Sequence, residues 1–253
     1  SKRSGGLRFN EKFKSNDQDK PLISIITTTL NSSKTLQETI NSILKQSYKN
    51  FEIIIINDEQ TDESNDVLEN IKKIDSRISI IKNKSNIGAG YSRNKGIENA
   101  NGKFLAFCDS DDLWKMNKLE NQLKFMKKMD INFSFTSYDV INVLGNKVGN
   151  RKAKEKISYK QLLMSCDIGL STVILEKKII NDFNVLFPNI KTKEDYVVWL
   201  NLSKKGIKMI GLDENLTSWR KLNNSLSSSI IQKIFDGYKV YRIYLKFNLL
   251  KSL

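Results

Sequence analysis

Phe104-Leu105-Ala106-Phe107-Cys108-Asp109-Ser110-Asp111-Asp112-Leu113-Trp114 joins a short apolar run to three carboxylates within four residues. The apolar half reads as a buried strand. Carboxylates crowded at its end repel one another and titrate upward unless a cation relieves them. Hard oxygen ligands suit Mg2+ or Mn2+, ions that share their shell with substrate phosphates. A plainer reading stands beside that one: a polar turn in which Asp111 or Asp112 caps a helix starting near Trp114.

Working outward, the same strand-then-helix rhythm fills the residues upstream. Leu22 to Thr29, Phe51 to Ile56 and Arg77 to Ile81 are β-branched runs of strand length. Between them lie helical patterns: Leu36, Ile40, Ile43 and Leu44 behind Ser32 or Ser33 as cap; Val67, Leu68, Ile71 and Ile74; and a helix from about Gly90 to Asn99. Leu119, Leu123 and Met126 share one face of the helix after the acidic cluster. Alternation of this kind implies an α/β domain with a mostly parallel, Rossmann-like sheet and helices on both faces. Ligands of such sheets bind beyond the carboxyl ends of the strands. Thr28 and Thr29, Asn57 and Asp58, and Asp109 to Asp112 all fall at such ends, so three polar clusters converge on one edge.

Past residue 130 the rhythm breaks. Phe133 to Val148 reads as strand, turn and strand, with Gly145-Asn146 at the turn. Asn146 to Lys160 carries six basic residues against Glu155 and reads as a mobile loop. Gly169 to Leu175 is a further strand, and Thr192 to Ser203 a helix with a capping box from Thr192 to Asp195. Ile230 to Leu253 is a C-terminal helix. Its polar stripe holds Lys233, Asp236, Lys239, Arg242 and Lys246, set against Ile234, Phe235, Tyr238, Tyr241, Tyr244, Leu245 and Leu249. Two placements fit that pattern: flat on an anionic membrane, or packed on the domain with lysines reaching water. The expected organisation is a polar tail over 1–20, a domain over 21–229 divided at 130/131, and the helix over 230–253.

Composition narrows the chemistry. With no histidine, a Ser-His-Asp triad, a histidine base and His-ligated zinc are excluded. Cys108 and Cys166 make no disulfide framework and fit a reducing compartment. A formal net charge of +14 calls for an anionic partner. No apolar stretch reaches the roughly 18 residues that span a bilayer.

Five segments together resemble the family 2 glycosyltransferases of the GT-A fold. They are Ile23 to Asn31; Ser42 to Asp58; Asn86-Ile-Gly-Ala-Gly-Tyr-Ser-Arg93-Asn94-Lys-Gly96-Ile97; Asn101 to Trp114; and Glu194-Asp195-Tyr-Val-Val-Trp-Leu200. The resemblance runs from about Pro21 to Ser229. It implies a nucleotide-binding half over 21–130, a smaller mixed acceptor-binding half over 131–229, and transfer of a sugar from a nucleotide diphosphate, UDP by prevalence in the family, with inversion. It further implies that Thr28, Thr29, Asn31, Asp58 and Arg93 contact the nucleotide. Asp109 would approach the ribose or the metal, Asp111 would hold Mn2+ or Mg2+, and Asp195 would be the general base with Glu194 as fallback. Three positions depart from the family pattern. Asn57 stands for the first Asp of Asp-Asp-Gly-Ser-Thr-Asp, Glu59 for its Gly, and Leu30 for an aromatic residue.

The function expected is that of a hexosyltransferase building a bacterial surface polysaccharide, lipopolysaccharide or capsule. Its acceptor would be a glycan or an undecaprenyl-diphosphate-linked glycan, reached from the cytoplasm at the inner membrane face. The altered turn at Asn57 to Gln60 motivates an alternative, a degenerate relative that binds the nucleotide sugar without transferring it. Charge alone motivates another, a nucleic-acid binder whose affinity falls steeply with salt; no nucleic acid is expected under the main reading.

Overall fold

A computed structural model describes residues 20–30, 32–58, 62–222 and 230–246. Residues 1–19 of the polar tail, Asn31, the altered turn at 59–61, the segment 223–229 and the helix end from 247, with Leu249, lie outside the described residues. In chain order the elements are β1 (Ile23–Thr29), α1 (Ser33–Leu44), β2 (Phe51–Asn57), α2 (Asp62–Ile74), β3 (Ile78–Lys82), α3 (Ala89–Glu98), β4 (Phe104–Phe107) and β5 (Leu113–Trp114). Then follow α4 (Lys118–Met129), β6 (Phe133–Ile141), β7 (Lys147–Arg151), β8 (Lys156–Ile157), α5 (Tyr159–Met164), β9 (Ile174–Glu176), α6 (Lys177–Phe183), α7 (Glu194–Lys204), β10 (Met209–Arg220) and α8 (Ile230–Lys239).

Among the described residues, all ten strands join one sheet in the order β3-β2-β1-β4-β9-β6-β10-β5, with β7 beside β6 and β8 beside β10. β1 to β4 are mutually parallel. β9 runs antiparallel to both β4 and β6, which restores the original direction in β6, and β10 is parallel to β6. The carboxyl ends of β1, β2, β4, β6 and β10 therefore point to the same edge.

Period-two alternation sorts the core into two layers. Ile23 and Ile25 of β1, with Ile53 and Ile55 of β2, pack beneath Leu36, Ile40 and Ile43 of α1, Leu68 and Ile71 of α2, and Leu119 and Met126 of α4. Ile26, Ile54, Ile56, Leu105 and Phe107 face the other way, onto Ile97 of α3, Ile179 and Ile180 of α6, and the buried face of α7 around Trp199. Trp199 meets the rings of Phe133 and Phe187 edge-on at 5.1 and 6.3 Å. Continuous apolar runs are what strands covered on both faces require.

Several expectations need correction. The helix expected from about Trp114 starts at Lys118, because Leu113-Trp114 pairs with Ser218 and Thr217 of β10. Asn146 to Lys160 is no loop: it supplies β7, β8 and the start of α5, where Ser158 and Gln161 form a capping box. Of the expected 169–175 strand only Ile174 and Leu175 pair in the sheet, as part of β9; Leu170–Thr172 is a 3-10 turn. Thr192 caps nothing, since α7 begins at Glu194 behind Lys193 in the left-handed conformation, φ 67°. α8 ends at Lys239 and passes into a π-helical turn, Val240–Tyr244. Its polar stripe is also misjudged. Asp236 is fully buried, while Ile234 is 69% and Phe235 55% exposed.

Candidate active site

The strand order reverses at β1, whose neighbours are β2 and β4. Past such a reversal the loops diverge to opposite faces and leave a crevice. A cavity of about 600 Å³ opens there. Thr28, Thr29 and Asp58 line it from the first half, Asp109 to Asp112 from the end of β4, and Glu194 and Asp195 from the start of α7. The residues expected at the site are therefore gathered in one place, apart from Asn31, which the structure does not describe.

Asp58 is buried and already engaged. Its carboxylate accepts from Asn83 Nδ2 and from the backbone N–H groups of Ile87 and Gly88, each at 2.9 Å. A carboxylate offers about four lone-pair sites. Asp58 thus shapes the 83–88 loop and keeps acceptor capacity toward the crevice. That loop turns at Gly88, whose φ of 89° suits glycine, and α3 follows directly. Gly90 lets α3 approach the Phe187-Pro188 segment, since a β-carbon there would collide with the Pro188 carbonyl oxygen.

Arg93, on α3, is 6% exposed and lies between two carboxylates. One η-nitrogen donates to Asp109 Oδ1 at 2.9 Å and the other to Glu194 Oε1. Burial alone would lower its pKa, but Glu194, Asp109 and Asp195 outweigh that and raise it. Its guanidinium thus links the end of β4 to α7, and Arg93 also lines the cavity.

The three acids after β4 separate in role. Asp112 is 1% exposed and accepts the Arg220 N–H at 2.9 Å. Burial, then Asp111 and Asp109, push its pKa well up. It braces the turn. Asp111 faces the crevice and is pushed up to about 6 by burial and by Asp109. A carboxyl whose ionisation is opposed by burial and a neighbouring charge at a cavity wall suits a divalent cation. Among the described residues no group of three His, Cys, Asp or Glu side chains could hold a metal alone. Asp111 with Asp109 would supply one or two ligands and leave the rest to phosphate oxygens and water, the usual Mg2+ or Mn2+ arrangement.

Asp195 sits half-buried in the first turn of α7, its Oδ1 accepting from the Tyr196 N–H at 2.7 Å. Burial and Glu194 push it up to about 7, against the opposing pull of Arg93. Glu194, tied to Arg93, is the less available of the two.

Two contributors escaped the sequence reading. Arg220, at the end of β10, donates through Nε to the Asp111 carbonyl at 2.9 Å and through Nη2 to Glu38 of α1 at 2.7 Å. Ser171, in the 3-10 turn, accepts the Asp109 N–H at 2.9 Å, and its carbonyl accepts from Trp114 Nε1 at 2.9 Å. Neither residue carries a local motif. Their partners lie far away in the chain.

A family model described as Glycosyl transferase family 2 matches residues 24–182. The chain is 37% identical over 234 residues to a putative teichuronic acid biosynthesis glycosyltransferase, TuaG, of Bacillus subtilis, covering 92% of each chain. It is also 37% identical over 217 residues to WfgD of Escherichia coli, named a UDP-Glc:alpha-D-GlcNAc-diphosphoundecaprenol beta-1,3-glucosyltransferase, covering 85% of this chain and 83% of that one. In fold it is similar to S. aureus TarS 1–349 in complex with UDP-GlcNAc, with a TM-score of 0.73 at 23% identity; 88% of this chain is matched, and it spans 65% of that one. A mannosyltransferase from Pyrobaculum calidifontis, in complex with GDP-Man and Mn2+, gives a TM-score of 0.70 at 12% identity, with 92% and 66% covered. The architecture is that of GT-A enzymes, and the chain belongs to glycosyl transferase family 2.

Proposed function

We propose that the chain transfers a hexose from a UDP-sugar, with inversion, to a hydroxyl of a lipid-linked glycan during assembly of a bacterial surface polysaccharide. The observation that carries the reading is the meeting of Asp111 and Asp195, one from each half, in a single crevice at the carboxyl edge of the sheet. Thr28, Thr29 and Asp58 would receive the nucleoside, with Asp58 accepting from a base N–H. Asp195 would take the proton of the acceptor hydroxyl as its oxygen bonds to the anomeric carbon. The bond to the diphosphate then breaks on the opposite face, and its electron pair leaves with the nucleotide. A base with a pKa of about 7 is well matched to that task. Asp111, with Asp109 beside it, would hold Mn2+ or Mg2+. Such an ion, when bound, neutralises charge on the departing phosphates.

Relatives support the substrate class: the name of WfgD specifies a UDP-Glc donor and a diphosphoundecaprenol-linked acceptor. The C-terminal segment supports work at a membrane surface. Ile234, Phe235 and Ile243 are exposed, next to exposed Arg242 and Lys246, and no described helix is long and apolar enough to cross a bilayer. A basic, apolar-faced helix lies at the headgroup boundary of anionic lipid.

A thermal-shift panel of UDP- and GDP-sugars, each with and without Mn2+, tests the reading. A UDP-sugar with Mn2+ should raise Tm by mass action. Asp195→Asn should keep that shift and lose turnover. Absence of any shift across the panel, or full turnover in Asp195→Asn, would overturn it.

A further inference from the structure

The most deeply buried acid of the C-terminal helix lies beside the crevice, not in it. Asp236 on α8 is fully buried. Its Oδ2 accepts the Thr192 backbone N–H at 3.0 Å, the Thr192 hydroxyl at 2.8 Å and Gln232 Nε2 at 2.9 Å. Its Oδ1 is buried without a hydrogen-bond partner among the described residues. A dry carboxylate so placed is costly, and only donors aimed at it make it tolerable. Two of its three donors belong to one residue, Thr192.

Thr192 stands just before the sharpest backbone feature of the site. Lys193 adopts φ 67° and ψ 16°, a conformation that side chains other than glycine resist, and α7 begins at the next residue. Such a turn persists only where its surroundings hold it. From the N-terminal side the hold comes from Asp236. The helix also closes over the turn at Gly237, where a β-carbon would lie 3.8 Å from Lys193 Cε. Three residues along the chain from Thr192, Asp195 faces the crevice, and Thr192 and Lys193 line it too.

We propose that Asp236 is a positioning residue for sugar transfer. By fixing Thr192 it sets the left-handed turn at Lys193 and hence the direction from which Asp195 meets the acceptor hydroxyl. The C-terminal helix is thereby part of the catalytic apparatus without touching the sugar or the nucleotide. The inference rests on Asp195 being the base.

The test uses the full chain carrying Asp236→Ala, Asp236→Asn, Thr192→Val, Thr192→Ser and the Asp236→Ala/Thr192→Val double change, with Asp195→Asn as reference. Steady-state turnover, donor KM, UDP affinity by calorimetry and Tm are measured for each. Asp236→Ala should lower kcat about 10- to 100-fold, the scale of a misplaced catalytic group. Donor KM and UDP affinity should stay within about twofold, because the donor wall of the crevice is untouched. Asp236→Asn keeps an acceptor oxygen for Thr192 and should recover most of the rate, as should Thr192→Ser. Thr192→Val, which loses one hydrogen bond, should cost about 3- to 10-fold. The double variant should be no worse than Asp236→Ala, because both changes cut the same link.

A lowered Tm with unchanged kcat in Asp236→Ala, or UDP affinity falling in step with kcat, would overturn the proposal. Should Asp236→Ala not fold, Asp236→Asn and the Thr192 pair decide it: wild-type turnover in Thr192→Val rejects the link. Full turnover in Asp195→Asn would reject the base itself. Loss there alongside wild-type turnover in Asp236→Ala would reject the tether alone.

Discussion

Asp195 and Glu194 are neighbours in sequence with opposite circumstances. Glu194 is ion-paired with Arg93, whereas Asp195 has burial and the Glu194 charge acting against its ionisation. A carboxylate raised in this way is protonated below its pKa and becomes a base above it. For an Asp195 base, kcat should therefore rise with pH through about 7 and level off above it. Asp111 would not produce the same limb, because a cation bound beside it would hold it ionised. A pH–kcat series at saturating donor and Mn2+ checks this; a flat profile from pH 5.5 to 8.5 would exclude Asp195 from the proton transfer. At this scale the sequence is informative about residue types and poor about partners. The acids at 109–112 and 194–195 are visible in the chain as written. Arg93 meets Asp109 across 16 positions and Glu194 across 101, and no local pattern encodes such a meeting.

Among the elements, α3 is one that fits closely against its surroundings. Gly90 abuts the Pro188 carbonyl, and Asn94 exchanges hydrogen bonds with the Phe187 backbone at 2.8 and 2.9 Å. Gly90→Ala should cost about 1–3 kcal/mol through forced separation of these segments, read as a lower denaturation midpoint at unchanged slope. No loss of stability would mean that the Pro188 segment yields freely. Elements with a clean period were legible: β1, β2, β3, α1, α2 and α4 follow from their apolar spacing. β10 was not, because Asp213-Glu214-Asn215 interrupts it at two register shifts and breaks any alternation. β5 is two residues long, below what periodicity can reveal. Thr192 looked like a cap because Asp195 follows at the right interval, yet tertiary contact with Asp236 claims its hydroxyl. For the same reason Asp236 was misplaced on a solvent stripe: helical spacing says which residues share a face, not where that face points.

On the scale of the whole molecule, the net charge of +14 and the apolar outer side of α8 point to the same environment. The chain should float with vesicles containing anionic lipid and stay in solution with neutral ones. Ile234→Ser/Phe235→Ser should weaken flotation, while turnover on a short water-soluble acceptor persists. Equal binding to neutral vesicles, or no effect of the double change, would remove the membrane role from this helix. The main outline, a parallel α/β run followed by a mixed stretch, was readable from the order of segments; that one uninterrupted sheet runs through both was not, because β9 links β4 to β6 against the direction of either. Among the described residues, that shared sheet runs unbroken beneath both walls of the crevice. Passage into and out of the crevice would then fall to connecting segments at its rim, not to a parting of its two walls.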